Sequence, residues 1–476
     1  MKRPPLELES ATVRRMVKDV LDRVLPWLDR MDTEPLSNLT GSQKLAASIR
    51  HEWPEDGTPW SRLLATMDRA RQTSLQATSP GYLAYIPGGG IPHAAIADLY
   101  ADLANRYTGL WMPAPGFVQM EVDVVRWFCE MVGWPDASSP TSPAGGYLTT
   151  GGSLANLGAM VAARKKLLGD SFLDGTLYVT EQTHHSVQKA AYVAGFSDRN
   201  LRVVAVDDQH RMDPAALKAA IGADRAAGWR PFLVVASGGC TPVGAVDPLS
   251  AIADAAPDLW LHVDAAYGGF FCLTERGRAA LRGIDRADSV TLDPHKGLFL
   301  PYGTGCLVVR RVQDLRDAHH VAASYLPTSQ EPGEKVDFAD LGPELSRDAR
   351  GLRVWLPLRM HGFGVFRAAL DEKLDLARVA ADGVRALPNV RMIAEPVLSL
   401  FAFRAEPPGV DDLDRFNRAW LARTNQRQRV FISGAIVHDP KDGSQIFVIR
   451  VCVLGFRTHA ERITSLIEDL TATLAE

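Results

Sequence analysis

The sequence predicts an α/β protein, with a large domain on a mostly parallel sheet and a smaller α+β domain after it. Three observations predict this. Apolar runs at 177–180, 203–206, 232–236 and 259–263 alternate with helical or loop segments, the rhythm of strands joined by crossovers. Polar groups stand just past those runs, where ligands of parallel sheets bind: Thr183, His184 and His185; 237–241; His262 and Asp264; and 293–296. After Val390 the pattern changes, and the alternation in SLFAFR (399–404) and FVIRVCVL (447–454) predicts half-exposed strands.

Composition narrows the function. The 476 residues carry a net charge of -4 with no basic run, which argues against nucleic acid as a partner. Five cysteines are scattered without CxxC spacing, against a disulfide framework or a structural zinc site and in keeping with a reducing cytoplasm. The start, MKRPPLELES, has no apolar h-region, and no uncharged run of membrane-spanning length follows, so a cytoplasmic protein without a membrane partner is expected.

In chain order, Val13, Met16, Val17, Val20 and Val24 recur at helical spacing from Ser10 until Pro26 interrupts. This amphipathic helix packs either on its own domain or on a partner subunit. The segment 79–92, SPGYLAYIPGGGIP, is a glycine-rich loop; with no strand before it and no GK[ST] after it, it is no phosphate loop. At 147–156, YLTTGGSLAN, an apolar stretch runs into Gly151, Gly152 and Ser153, and a helix follows through Leu154, Leu157, Val161 and Leu168 to Gly169. Strand, glycine turn and helix start suit an anion such as phosphate; the plainer alternative is a Ser153 N-cap.

Residues 289–305, SVTLDPHKGLFLPYGTG, place Lys296 where a short strand ends. The aliphatic neighbours Leu298, Phe299 and Leu300 predict a low-dielectric setting that disfavours the ammonium and leaves a nucleophilic amine. The alternative is an ordinary surface lysine. A final helix is expected to open on a capping box, Thr458 to Glu461, and to continue through Ile463, Leu466, Ile467, Leu470 and Leu474. The divisions expected are 1–84, an N-terminal helical segment; 85–376, the large domain; and 377–476, the small one.

HVDAAYGG (262–269) followed by DPHKG (293–297) resembles the group II pyridoxal-phosphate-dependent amino acid decarboxylases, the aromatic amino acid and glutamate decarboxylase family, over about 82–457. The resemblance implies a fold type I enzyme that binds pyridoxal 5'-phosphate (PLP), works as a homodimer and converts an L-amino acid to its amine. It implies Lys296 as the lysine that binds the cofactor aldehyde and Asp264 as the partner of the pyridine nitrogen. His184, in QTHHSV, resembles the histidine stacked on the ring, Gly152 and Ser153 the phosphate cup, and Ala266 the contact on the other ring face. Thr241, His295 and Asp293 fall near the cofactor by the same likeness. Tyr325, in AASYLP, resembles the donor that protonates Cα after carbon dioxide leaves. Cys240, Asp293, Asp348 and Gln119 depart from the Thr, Asn, Arg and Glu or Leu that relatives more often carry.

For the substrate, Tyr85, Ile86 and Pro87 resemble the apolar pocket wall of the aromatic enzymes, and Leu110 and Trp111 are grouped with them. GFVQME (116–121) looks more like the acidic-substrate branch, and Arg106 could pair an acidic side chain or be a surface residue. The reading is therefore decarboxylation of an aromatic or bulky apolar amino acid. The alternatives are an acidic substrate, or an aldehyde synthase, a branch in which the tyrosine at the Tyr325 position is phenylalanine. No metal is expected. From a different class, His184, His185, His262, Asp264, Asp293 and His295 could make a hydrolase metal site, a reading that gives Lys296 no role.

Overall fold

The structure is a computed structural model and describes residues 6–50, 53–134, 142–321 and 335–475. Seven short runs rich in valine, leucine and tyrosine form one sheet: β1 (Gly145–Thr149), β2 (Gly175–Thr180), β3 (Leu201–Val204), β4 (Arg230–Ser237), β5 (Trp260–Asp264), β6 (Ser289–Leu292) and β7 (Gly305–Val309). Their order is β1-β7-β6-β5-β4-β2-β3. The pairs from β3 across to β6 are parallel, and β7 alone is reversed, antiparallel to both β6 and β1. The carboxyl ends of β1, β2, β4, β5 and β6 therefore share one edge.

Helices cover both faces, which is why these strands read as unbroken apolar runs. Because successive side chains alternate across a strand, Leu233 and Val235 of β4 pack with Leu177, Trp260 and Ala155, Ala159, Ala162 and Ala163 of the helix Gly152–Leu168. Their neighbours Val234 and Ala236 pack on the other face with Phe128, Phe270 and Phe271.

The second sheet is antiparallel: β8 (Val390–Ala394), β9 (Leu400–Ala405), β10 (Ser433–His438) and β11 (Gln445–Cys452), in the order β10-β11-β9-β8. The expectation of half-exposed strands fails here, because β9 is buried throughout and β11 beyond its first residue. Phe401, Phe403 and Ile449 face Trp420, Leu466 and Leu470 on helices, while Ala402 and Val448 pack against Cys240, Val243 and Ala245 after β4. The polar beats in the pattern are buried arginines. Arg450 donates to the Ser433 hydroxyl at 3.1 Å and to the carbonyls of Tyr85 at 3.0 Å and Thr241 at 2.6 Å.

Two smaller expectations are also corrected. The first helix runs Ser10–Arg30, straight through Pro26. No residue of it is buried, so the carbonyl left without a proline N–H partner can face water. The last helix, Ala460–Leu474, has no side-chain cap: the buried Thr458 hydroxyl donates instead to the Pro80 carbonyl at 2.8 Å. Among the described residues, no helix is long and apolar enough to cross a membrane.

Candidate active site

A cavity of about 220 Å³ opens where β1, β4, β5 and β6 end, lined by Gly152, Ser153, His184, Thr241, Asp264, Ala266, Asp293, His295 and Lys296 among others. After β6, Pro294 opens a single helical turn, Pro294–Gly297, whose first N–H groups return to the Asp293 carbonyl, Lys296 at 2.8 Å and Gly297 at 3.2 Å. The turn holds Lys296 half-buried with Nζ 2.8 Å from Asp293 Oδ2. Burial pushes the Lys296 ammonium down, but the Asp293 carboxylate outweighs it and the net shift is upward. The expected loss of charge is thus overturned, because the carboxylate three residues before the lysine favours the ammonium more than burial disfavours it.

Asp293 itself is 2 % exposed, and its Oδ1 finds no hydrogen-bond partner among the described residues. His295 gives its Nδ1 proton to the Thr304 carbonyl at 2.5 Å, the only role open beside a carbonyl, and its Nε2 lies 3.6 Å from Asp293 Oδ2. Burial pushes the His295 pKa down.

At the end of β1 the chain turns through Gly151 into the helix Gly152–Leu168. A Cβ on Gly152 would stand 3.2 Å from Asp293 Oδ2 and 3.3 Å from both Ala266 Cβ and Thr291 Cγ2, so only glycine leaves this corner open. The N-cap is Gly151 and no side chain caps the first turn; Ser153 lies inside the helix, exposed at the rim, which removes the Ser153 N-cap alternative.

At the end of β5, Asp264 accepts from Asn156 Nδ2 at 2.9 Å and from the Ala266 N–H at 3.2 Å. His184 caps the helix His185–Val193, its Nδ1 2.7 Å from Ser186 Oγ and 3.3 Å from the Ser186 N–H. Burial pushes the His184 pKa down, so the ring is neutral at pH 7. Sequence reasoning passes over Asn156 and Ser186. The one signal for Asn156 is its place a helical turn after Gly152, which returns it to the same face.

Several expected residues lie elsewhere. Tyr85, Ile86, Pro87, Leu110 and Trp111 do not line the cavity. Tyr85 is exposed with φ 51°, and Arg450 bonds the carbonyls of both Tyr85 and Thr241. Leu110 is buried, and Trp111 donates its N–H to Asp337 Oδ1 at 2.7 Å. Arg106 is exposed. Glu121, from the acidic-branch segment, forms a buried pair with Arg347 at 2.7 Å, and the two hold the Leu148 N–H and carbonyl of β1. Tyr325 lies outside the described residues. Among the described residues, no group of three His, Cys, Asp or Glu side chains converges as metal ligands.

Three comparisons bear on this geometry. The model of the pyridoxal-dependent decarboxylase conserved domain matches residues 43–406. The aromatic-L-amino-acid decarboxylase of Bacillus atrophaeus is 31% identical over 478 residues, covering 99% of this chain and 97% of its own, and tryptophan decarboxylase 1 of Oryza sativa subsp. japonica is 28% identical over 98% and 95%. The crystal structure of Oryza sativa TDC with PLP and tryptamine superposes with a TM-score of 0.92 at 26% identity, over 100% of this chain and 99% of that one.

Proposed function

The chain belongs to the pyridoxal-dependent decarboxylase family, as a PLP-dependent carboxy-lyase, and on that premise we propose that its substrate is an aromatic L-amino acid, released as the corresponding amine. The observation that carries the substrate class is end-to-end likeness, at 31% identity, to an enzyme named for aromatic amino acids.

The residues fit PLP. An amine, an uncapped helix start beside a glycine whose Cβ would fill the corner, and a carboxylate on the next strand end line one cavity. Bound there, PLP supplies an electron-withdrawing ring that stabilises the charge left on Cα as carbon dioxide departs. Lys296 is the amine for the cofactor aldehyde, and Asp293, 2.8 Å away, is the carboxylate within reach of a Lys296 proton. The N–H groups of Gly152 and Ser153 point from a helix start and would take the phosphate. Asp264 would hold a proton on the ring nitrogen, since a carboxylate favours the charged form of a base beside it. His184 and Ala266 would bound the ring, with Thr241 and His295 around it.

We assign the proton that replaces the carboxyl group at Cα to the Tyr325 phenol, because an ordinary tyrosine keeps its proton to pH about 10. In Tyr325→Phe assayed in air, amine formation is expected to fall by about 100- to 10,000-fold while aldehyde and ammonia accumulate, with dioxygen as the oxidant and hydrogen peroxide as its reduced product. Amine at the parent rate with no aldehyde would remove Tyr325 from that role. We also place a second copy of the chain over the helix Pro92–Ala104, whose Ile96, Leu99, Tyr100 and Leu103 are exposed together. The compartment we assign is the cytoplasm, in keeping with five unpaired cysteines.

The deciding experiment offers the purified holoenzyme a mixture of the common amino acids and identifies the amines formed. Tryptamine, tyramine or phenylethylamine is expected. Consumption of glutamate or aspartate in their place would overturn the substrate class.

A further inference from the structure

Beneath the cavity runs a chain of hydrogen bonds whose direction can be read from both ends. An indole N–H can only donate, and Trp260 Nε1 donates to Ser289 Oγ at 2.7 Å. The Ser289 proton is then available to His262 Nδ1, 2.8 Å away. His262 is buried and its pKa is pushed down to about 4, so the ring carries one proton, on Nε2. That nitrogen lies 3.0 Å from Asn156 Oδ1, which also takes the Thr291 hydroxyl at 2.6 Å.

At the other end an ionised Asp264 can only accept, and Asn156 Nδ2 stands 2.9 Å from its Oδ2. Both ends therefore turn the Asn156 amide the same way round. Its second N–H goes to Ser186 Oγ at 3.0 Å. A hydroxyl that accepts there has its own proton for His184 Nδ1 at 2.7 Å, where the Ser186 backbone N–H also points at 3.3 Å.

We propose that Asn156 is a positioning residue which, through Ser186, holds His184 as the neutral imidazole protonated on Nε2 and in the same stroke fixes the carboxylate of Asp264. This rests on the reading of His184 and Asp264 as site residues. With Nδ1 occupied by two donors, His184 offers the cavity an N–H donor and no base at Nδ1. All four hydrogen-bonding positions of Asn156 are used, two of them toward those residues, so the amide ties the two walls of the site into one rigid unit.

The test is histidine ring 15N NMR on the full-length protein at neutral pH, with His184 assigned by the signals missing from His184→Gln. The parent protein should give a single His184 form with Nδ1 unprotonated and Nε2 protonated. Ser186→Ala should turn that single form into a mixture of the two tautomers. In Asn156→Asp the new carboxylate should take the Ser186 proton and reverse the ring to Nδ1–H. A parent ring protonated on Nδ1 overturns the proposal without any variant, and so does a single unchanged form in Ser186→Ala. The reading of His184 as a site residue is tested separately: decarboxylation by His184→Gln at the parent rate would remove that reading while the tautomer measurement still stood.

Discussion

Asp264 and Asp293 end neighbouring strands and line the same cavity, yet the protein treats them differently. Asp264 has a donor on each oxygen, the Asn156 amide and the Ala266 N–H. Asp293 has one oxygen on the Lys296 ammonium and the other buried without a partner among the described residues, a deficit that typically costs about 1–3 kcal/mol. One carboxylate is finished by the fold, and the other is poised to change partners. That contrast agrees with the roles proposed above: pre-set geometry would suit Asp264 holding a proton in place, and an unfinished ion pair would suit Lys296 giving one up.

The largest effect expected is at the unfinished end. Lys296→Ala should abolish turnover and the visible absorbance of bound cofactor, while the chain stays folded, because Lys296 is only half-buried. Its melting temperature should fall modestly, since Asp293 is left unpaired. Turnover in that variant would end the assignment. At the finished end, Asp264→Asn keeps the shape but not the charge, and decarboxylation should drop by about 100- to 10,000-fold, the usual worth of a positioned acid–base group. A parent kcat in that variant would mean the ring proton is held by something else.

The network behind Asp264 should also show in acid. The folded pKa of His262 is about 4 against 6.5 for an ordinary histidine, so between those values the unfolded chain binds more protons. Its contribution is complete above pH 6.5 and is lost as pH falls through that window, on the order of 1–3 kcal/mol. Denaturant midpoints at pH 7 and pH 4.5 should therefore differ more for the parent than for His262→Gln. Equal differences would place the acid sensitivity elsewhere.

The two carboxylates also mark what could be read in the sequence. Asp264 and Lys296 were legible because each sits within a short motif at a strand end, and strand ends follow from local apolar runs. Asn156 was not, because its meaning comes from Ser186, His262, Asp264 and Thr291, brought together only by the sheet and the helix that crosses it. The upward shift at Lys296 was missed for a related reason: local hydrophobicity registers burial, whereas the sign depends on where the Asp293 side chain turns. In β9 and β11 the alternation predicts half-exposed strands, and this fails because the second face is covered by Cys240, Val243 and Ala245, far away in the chain.

The smallest expected effect is the one that separates the two carboxylates most sharply. Asp293→Asn removes a negative charge from the corner beside Gly152, where the phosphate would bind, and removes the partner that keeps Lys296 charged. The first change relieves repulsion of an anion. The second leaves burial as the dominant influence on Lys296, and burial favours the uncharged amine. Both act in the same direction, so PLP should bind more tightly, by about tenfold, or about 1.4 kcal/mol. Titrating the apoprotein with PLP and following absorbance would measure it, and the gain should shrink as pH rises and the parent Lys296 loses its proton without help. Weaker binding in Asp293→Asn would mean that the carboxylate holds Lys296 in place for the cofactor rather than holding it back, and the contrast with Asp264 would disappear.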